Sequence, residues 1–216
     1  MSEASVIQLF PISVYHNKIN IDEDTKKFII SQEYERMYSG NGDFTVNKYL
    51  LNTPECVNLK KQISEQLDVF TRKYVTVKND INFYMQCSWG VKHKKGDWGQ
   101  QHEHANSLLS GVLYLETDKD SGSICFHKPY GYTNLFHSST HIPFNEFETH
   151  NADVYHHVPE NGDILLFPSH LHHSIKENRS NIIRYSIAFN FHISGELKTA
   201  DSKIDYLKIE ENKPYE

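Results

Sequence analysis

The chain has 216 residues, 38% of them hydrophobic, and a formal net charge of −6 from 28 acidic and 22 basic side chains. That length suits one sizeable core better than two domains, and the sequence has neither a global basic surface for nucleic acid nor an apolar run long enough to span a membrane. Cys56, Cys87 and Cys125 show no Cys-x-x-Cys spacing and leave one thiol over, and the N-terminus lacks a basic segment followed by an apolar one, so a reducing, cytoplasmic setting is expected.

Asp22 to Met37 reads as a first helix, with Phe28, Ile29, Tyr34 and Met37 as candidate buried positions. Thr53-Pro54 offers an N-cap and a proline at the first helical position of a second helix. In it Val57, Leu59, Ile63, Leu67, Phe70 and Tyr74 recur at near-helical spacing. Residues 1–80 are therefore expected to be a helical support within the same domain. From Ile81 short strands and turns dominate, which predicts a mainly β sandwich or barrel over 81–193. The helices should pack on the outside of one sheet, on the apolar face of the last strand. Between Tyr130 and His157 lies an aromatic, histidine-rich stretch containing Tyr132, Phe136, His137, His141, Phe144 and Phe147. It reads as a loop over a substrate entrance or as edge strands. Residues 194–216 are charged and read as a C-terminal extension.

Two stretches carry chemistry. In Gln100-Gln101-His102-Glu103-His104, an extended backbone would project His102 and His104 from one face and Glu103 from the other. The chain holds 14 histidines in all, so short spacings also arise by chance. The second stretch runs from Phe167-Pro168-Ser169 through His173-Ser174-Ile175, across the polar cluster Glu177 to Asn181, to Arg184-Tyr185-Ser186. The cluster predicts a reversal near Asn178, which returns Arg184 to about the level of His173 whether the two strands pair or lie in facing sheets. Period-2 alternation then puts Ile183, Tyr185, Ile187, Phe189 and Phe191 on one face and Arg184, Ser186, Ala188 and Asn190 on the other. An arginine there is either the polar side of a surface strand or a fixed fork of donors for a carboxylate. His170 and His172 read as outer-face residues, and Lys92, His93, Lys94 and Lys95 as a solvated loop.

The run Gly162-Asp163-Ile164-Leu165-Leu166-Phe167-Pro168-Ser169, continued by His173 and Arg184-x-Ser186, resembles the C-terminal signature of Fe(II)/2-oxoglutarate-dependent oxygenases. His102, His104, Asn106-Ser107 and Ser110-Gly111-Val112-Leu113-Tyr114 resemble the upstream motif of a partly phage-borne branch of that superfamily, and Leu9 to Val14 resembles the opening of those proteins. The resemblance implies a double-stranded β-helix (jelly roll, cupin-like), Fe(II), 2-oxoglutarate and O2, and hydroxylation of a substrate with release of succinate and CO2. It makes His102 and His173 metal ligands. Arg184 becomes the partner of the far carboxylate of 2-oxoglutarate, with Ser186 beside it and Tyr114 as a further candidate; Tyr114 reads equally as a core tyrosine. For a phage-encoded chain it implies the host cytoplasm.

The family pattern has a carboxylate two residues after the first histidine, where this chain has His104. Three readings stay open: a site of His102, His104 and His173; His104 off the metal with a water or halide in its place; or His104 and Asn106 as the pair. Rival functions are a cupin-like three-histidine iron dioxygenase or zinc hydrolase, and a catalytically silent 2-oxoglutarate-binding module. No residue pattern names the substrate.

Overall fold

Alternating apolar and polar residues over long stretches require sheets that are buried on one face at least, and the chain answers with two antiparallel sheets packed face to face. The structure, a computed structural model, describes residues 5–7, 9–36, 42–129, 143–198 and 206–211. In chain order the regular elements are β1 (Tyr15–Lys18), α1 (Glu23–Ile30), β2 (Tyr34–Arg36), β3 (Asp43–Thr45), α2 (Val57–Asp68), β4 (Asn82–His93), β5 (Gly99–His102), β6 (Leu109–Glu116), β7 (Ile124–His127), β8 (Val154–His157), β9 (Asp163–Pro168), β10 (His173–Ile175), β11 (Arg184–Lys198) and β12 (Tyr206–Ile209). The larger sheet runs β1-β9-β6-β11-β4-β3-β2, with β12 added to β11, and the smaller runs β5-β10-β7-β8. From β4 to β11 the chain crosses between β4-β11-β6-β9 and β5-β10-β7-β8 at nearly every connection, which is the jelly-roll arrangement.

Each face of the large sheet has its own apolar cluster. Ile187, Phe189 and Phe191 of β11 pack with Leu113, Ile164 and Leu166 against Ile29 of α1 and Leu59, Ile63 and Leu67 of α2. The helices therefore cover the apolar face of β11, as the alternation requires. Between the sheets, Val112, Tyr114, Leu165 and Phe167 meet Ile124 and Phe126. Among the described residues no helix is long and apolar enough to cross a membrane.

The helix boundaries differ from the sequence expectation. The Asp22 carboxylate caps α1 by accepting from the Thr25 amide at 2.8 Å, but the helix ends at Ile30. Tyr34 instead pairs with Thr45 in a strand, and its hydroxyl donates to the Ile29 carbonyl at 3.0 Å. Tertiary pairing thus overrides local helix preference there; Met37 lies outside the described residues. Thr53 does not cap with its side chain: its hydroxyl donates back to the Leu50 carbonyl at 2.9 Å, and a 3₁₀ turn over Pro54–Cys56 leads into α2. Beyond Asp68 the helix widens into a π-helical turn, Val69–Tyr74, in which the Val75 amide reaches the Phe70 carbonyl at 3.0 Å. Phe70 is buried, while Val57 and Tyr74 are 59% and 63% exposed, contrary to the helical stripe drawn from sequence. At the other end, residues 194–198 prolong β11, and Gly195–Lys198 pair with β12.

The packing predicts unequal costs along that stripe. Ile63→Ala, which empties a fully buried site, should cost about 2–5 kcal/mol. Val57→Ala should stay within about 0.5 kcal/mol, both read from urea unfolding followed by circular dichroism.

Candidate functional site

The short strand β10 sits between β5 and β7, and its register sets His173 directly opposite His102. His104 follows β5, with its amide held by the Ser169 carbonyl at 3.0 Å. The ring centroids are 4.3 Å apart for His102 and His173, 5.1 Å for His104 and His173, and 5.2 Å for His102 and His104. One ligand atom from each lies within 4.8 Å of the other two. His173 is buried and His102 is exposed, so the group opens on the His102 side.

The ring orientations carry more than the spacing does. Nδ1 of His102 faces the Gln100 carbonyl at 2.8 Å, Nδ1 of His104 faces Oδ1 of Asn190 at 2.6 Å, and Nδ1 of His173 faces the Leu171 carbonyl at 2.9 Å. Each partner is an oxygen that can only accept, so each neutral ring carries its proton on Nδ1 and leaves the Nε2 lone pair for an ion. The Asn190 oxygen also accepts from the Ser110 hydroxyl at 2.9 Å, and Ser110 is linked to Ser169 at 2.8 Å. This buried chain fixes which end of the Asn190 amide faces His104.

The surroundings keep His173 and His104 neutral. Burial, and next the neighbouring His102, push His173 down to about 3. Burial also lowers His104, against the opposing pull of its bond to Asn190. Phe167 stands edge-on to His173 with centroids 4.8 Å apart, and Trp89 stacks on His104 at 5.8 Å. Glu103 is exposed, and Asn106 is exposed in a turn with φ of 60°. His170 is exposed and His172 half-buried. None of these four belongs to the group, and among the described residues no carboxylate joins it.

Arg184 opens β11 in the facing sheet. The reversal expected near Asn178 is built around that residue: its side-chain amide donates to the carbonyls of His93 at 2.9 Å and Ile182 at 3.1 Å. Asn178 is fully buried, and it ties the turn to the end of β4. Arg184 itself is 1% exposed. Its Nη1 donates to the carbonyls of Ser121 at 3.3 Å and Gly122 at 3.1 Å, and its Nη2 contacts Nδ1 of His93. Gly122 is required there, because its φ is +90° and a Cβ would lie 2.2 Å from the Lys176 carbonyl oxygen.

No carboxylate among the described residues pairs with this guanidinium. Its Nε–H and the Tyr114 hydroxyl are buried polar groups without a hydrogen-bond partner. Tyr114 stands across from Ser186 on the adjacent strand, with the Arg184 guanidinium carbon 6.0 Å from its ring centroid. Burial pushes the Tyr114 phenol up to about 12, outweighing the nearby arginine, and burial lowers Arg184. Tyr114 is thus fully buried like a core tyrosine, but its hydroxyl is unsatisfied. The Arg184, Ser186 and Tyr114 side chains form a cationic cradle with two orphaned donors, which fits a carboxylate.

His93 is the residue that sequence reasoning missed. Its lysine neighbours read as a solvated loop, but it is 3% exposed and pairs across from Arg184. Cys87, Trp89, Val91 and His93 pair across from Asn190, Ala188, Ser186 and Arg184, so they share the inward face of the large sheet. Period-2 alternation from Trp89 would have found it. Within the aromatic stretch, residues 130–142, including Tyr132, Phe136, His137 and His141, lie outside the described residues.

The chain combines a jelly roll with a histidine group in one sheet and a buried arginine in the other, and the proteins it is similar to are 2-oxoglutarate/Fe(II) oxygenases. Residues 87–190 match the family model described as "Putative 2OG-Fe(II) oxygenase". No curated protein matches the chain. Among solved structures, HygX from Streptomyces hygroscopicus with nickel and 2-oxoglutarate bound superposes with a TM-score of 0.57 at 13% identity, covering 83% of this chain and 82% of that one. A Pseudomonas putida prolyl-4-hydroxylase gives 0.54 at 12% identity, over 83% and 92%. A 2OG-Fe(II) oxygenase family oxidoreductase from Burkholderia pseudomallei gives 0.54 at 13% identity, over 76% and 74%. At these identities the likeness is one of fold.

The unsatisfied hydroxyl has a measurable consequence. Tyr114→Phe removes a buried donor with no partner, so without 2-oxoglutarate its unfolding free energy should equal or slightly exceed that of the parent, within about 1 kcal/mol.

Proposed function

We propose that the chain is a non-haem Fe(II)- and 2-oxoglutarate-dependent hydroxylase. In this reading Nε2 of His102, His104 and His173 hold the iron, while Arg184, Ser186 and Tyr114 hold the far carboxylate of 2-oxoglutarate. The observation that carries it is the Arg184 guanidinium, 1% exposed and without a carboxylate partner among the described residues. A buried, uncompensated charge is costly, and a bidentate carboxylate is the partner its planar fork accepts best. The orphaned Tyr114 hydroxyl supports the same ligand from the side.

Iron(II) with 2-oxoglutarate and O2 supplies the oxidising power to hydroxylate a C–H bond, the co-substrate leaving as succinate and CO2. The chain's own residues supply position and charge. Arg184 anchors one end of the dicarboxylate and so orients the other toward the histidines. His93 and the Ser121 and Gly122 carbonyls hold the guanidinium in place. Phe126 and Phe167 wall off His173 from water. Three neutral imidazoles bring no negative charge to the metal, unlike two histidines and a carboxylate. The three Nδ1–H donors, each bonded to oxygen, offset part of that loss by making Nε2 more basic. A zinc hydrolase has no use for Arg184 facing the metal group. A silent binding module would bind 2-oxoglutarate and form no succinate.

Two results are expected. Arg184→Ala should weaken Fe(II)-dependent 2-oxoglutarate binding by two or more orders of magnitude in calorimetry, matching the about 3–5 kcal/mol cost of breaking a buried ion pair, and abolish succinate formation. Undiminished binding and turnover in that variant would overturn the assignment. Asn190→Ala should lower Fe(II) affinity about 10- to 100-fold by freeing the His104 ring, without changing the unfolded baseline.

A further inference from the structure

A second set of ligand-type side chains converges away from the group just described. His16 lies on β1, His157 on β8 and Asp163 on β9, and one ligand atom from each lies within 4.8 Å of the others. The topology explains the meeting. β1 pairs with β9 so that Lys18 stands opposite Asp163 and His16 opposite Leu165. Leu165 belongs to the apolar cluster between the sheets, so His16 and Asp163 share the inward face of the large sheet's edge. His157 pairs opposite Ile124, another member of that cluster, and so comes inward from the edge strand of the smaller sheet.

The geometry is that of a site built around a carboxylate. Nε2 of His16 is 3.4 Å from Oδ1 of Asp163, and Nε2 of His157 is 3.2 Å from Oδ2. Ligand bonds of about 2.0–2.1 Å in a tetrahedral zinc shell set neighbouring ligand atoms roughly 3.3 Å apart, which is this spacing. The Asp163 side chain is 6% exposed, and the Glu160 amide, donating to its Oδ2 at 2.9 Å, fixes its orientation. Burial alone would raise this carboxyl, but the Glu160 amide, His16 and His157 hold it below its usual range, so it is anionic at neutral pH. The nearby cation Lys18 is engaged by Glu160 at 2.5 Å. The His16 side chain is 50% exposed, which leaves a path for an ion and room for water.

We propose that His16, His157 and Asp163 form a second metal site, of zinc type, with a fourth position open to water and with the ion joining β1 of one sheet to β8 of the other. Two imidazoles and one carboxylate with one open position form a ligand set that zinc accepts, and it differs from the three histidines of the first site. The site is independent of the oxygenase reading.

Cobalt(II) titration of the metal-free 216-residue chain, followed by visible absorption and elemental analysis, tests it. The parent should bind two equivalents, one with the intense visible bands of a four-coordinate ion. His16→Ala, a change at a half-exposed side chain, should bind one and lose those bands. The His102→Ala/His173→Ala double variant should bind one and keep them. Zinc should raise the melting temperature of this double variant and not that of its His16→Ala derivative. A single equivalent in the parent that survives His16→Ala, or two equivalents in both His16→Ala and His157→Ala, would overturn the site and leave a hydrogen-bonded triad. A single equivalent lost in His16→Ala but kept in the double variant would instead uphold this site and remove the metal from the first.

Discussion

A positive charge buried without a counter-ion among the described residues is the constraint around which this fold is arranged. Arg184 lies at the start of the strand whose other face carries much of the apolar core, and its guanidinium points to the opposite side, into the space between the sheets. Backbone carbonyls at Ser121 and Gly122 and the ring of His93 satisfy part of it. They cannot neutralise it. Around it, helices pack on the outer face of the large sheet, and the turn at Asn178 is tied to the end of β4. In the proposed reading, a dicarboxylate that pairs with the guanidinium would offset the penalty of burying its charge.

The histidine group across the barrel is also held in place by hydrogen bonds to its rings. Its three rings come from the end of β5, the residues just after it and the start of β10, and each has an oxygen on Nδ1 that leaves Nε2 free for an ion. The Ser169–Ser110–Asn190 chain extends this control into the large sheet, linking the group in one sheet to the strand that also carries Arg184 and Ser186. The two halves of the site therefore share β11. A shift of that strand would disturb both.

Much of this was legible from residue order. The alternation along Arg184 to Phe191 separated the core face from the working face, and His102 with His104 pointed to a metal. Other features depended on contacts distant in sequence. That His173 would stand directly opposite His102 is a matter of strand register, which no local pattern specifies. His93 was hidden because its lysine neighbours suggest a solvated loop, although it continues the inward alternation of β4. The first helix was drawn too long because Tyr34 has its partner, Thr45, in another strand. The charged residues after Ser194 suggested an extension, and the pairing of Gly195–Lys198 with β12 is a register that no local pattern specifies.

The central claim is that His104 occupies the place of the expected carboxylate and binds the metal through Nε2. X-ray absorption on the Fe(II)-loaded protein tests this most directly, because imidazole rings scatter in a pattern that allows them to be counted. The account predicts three imidazoles at about 2.0–2.2 Å in the parent and two in His104→Ala. Two imidazoles in both proteins would contradict it and place His104 off the metal.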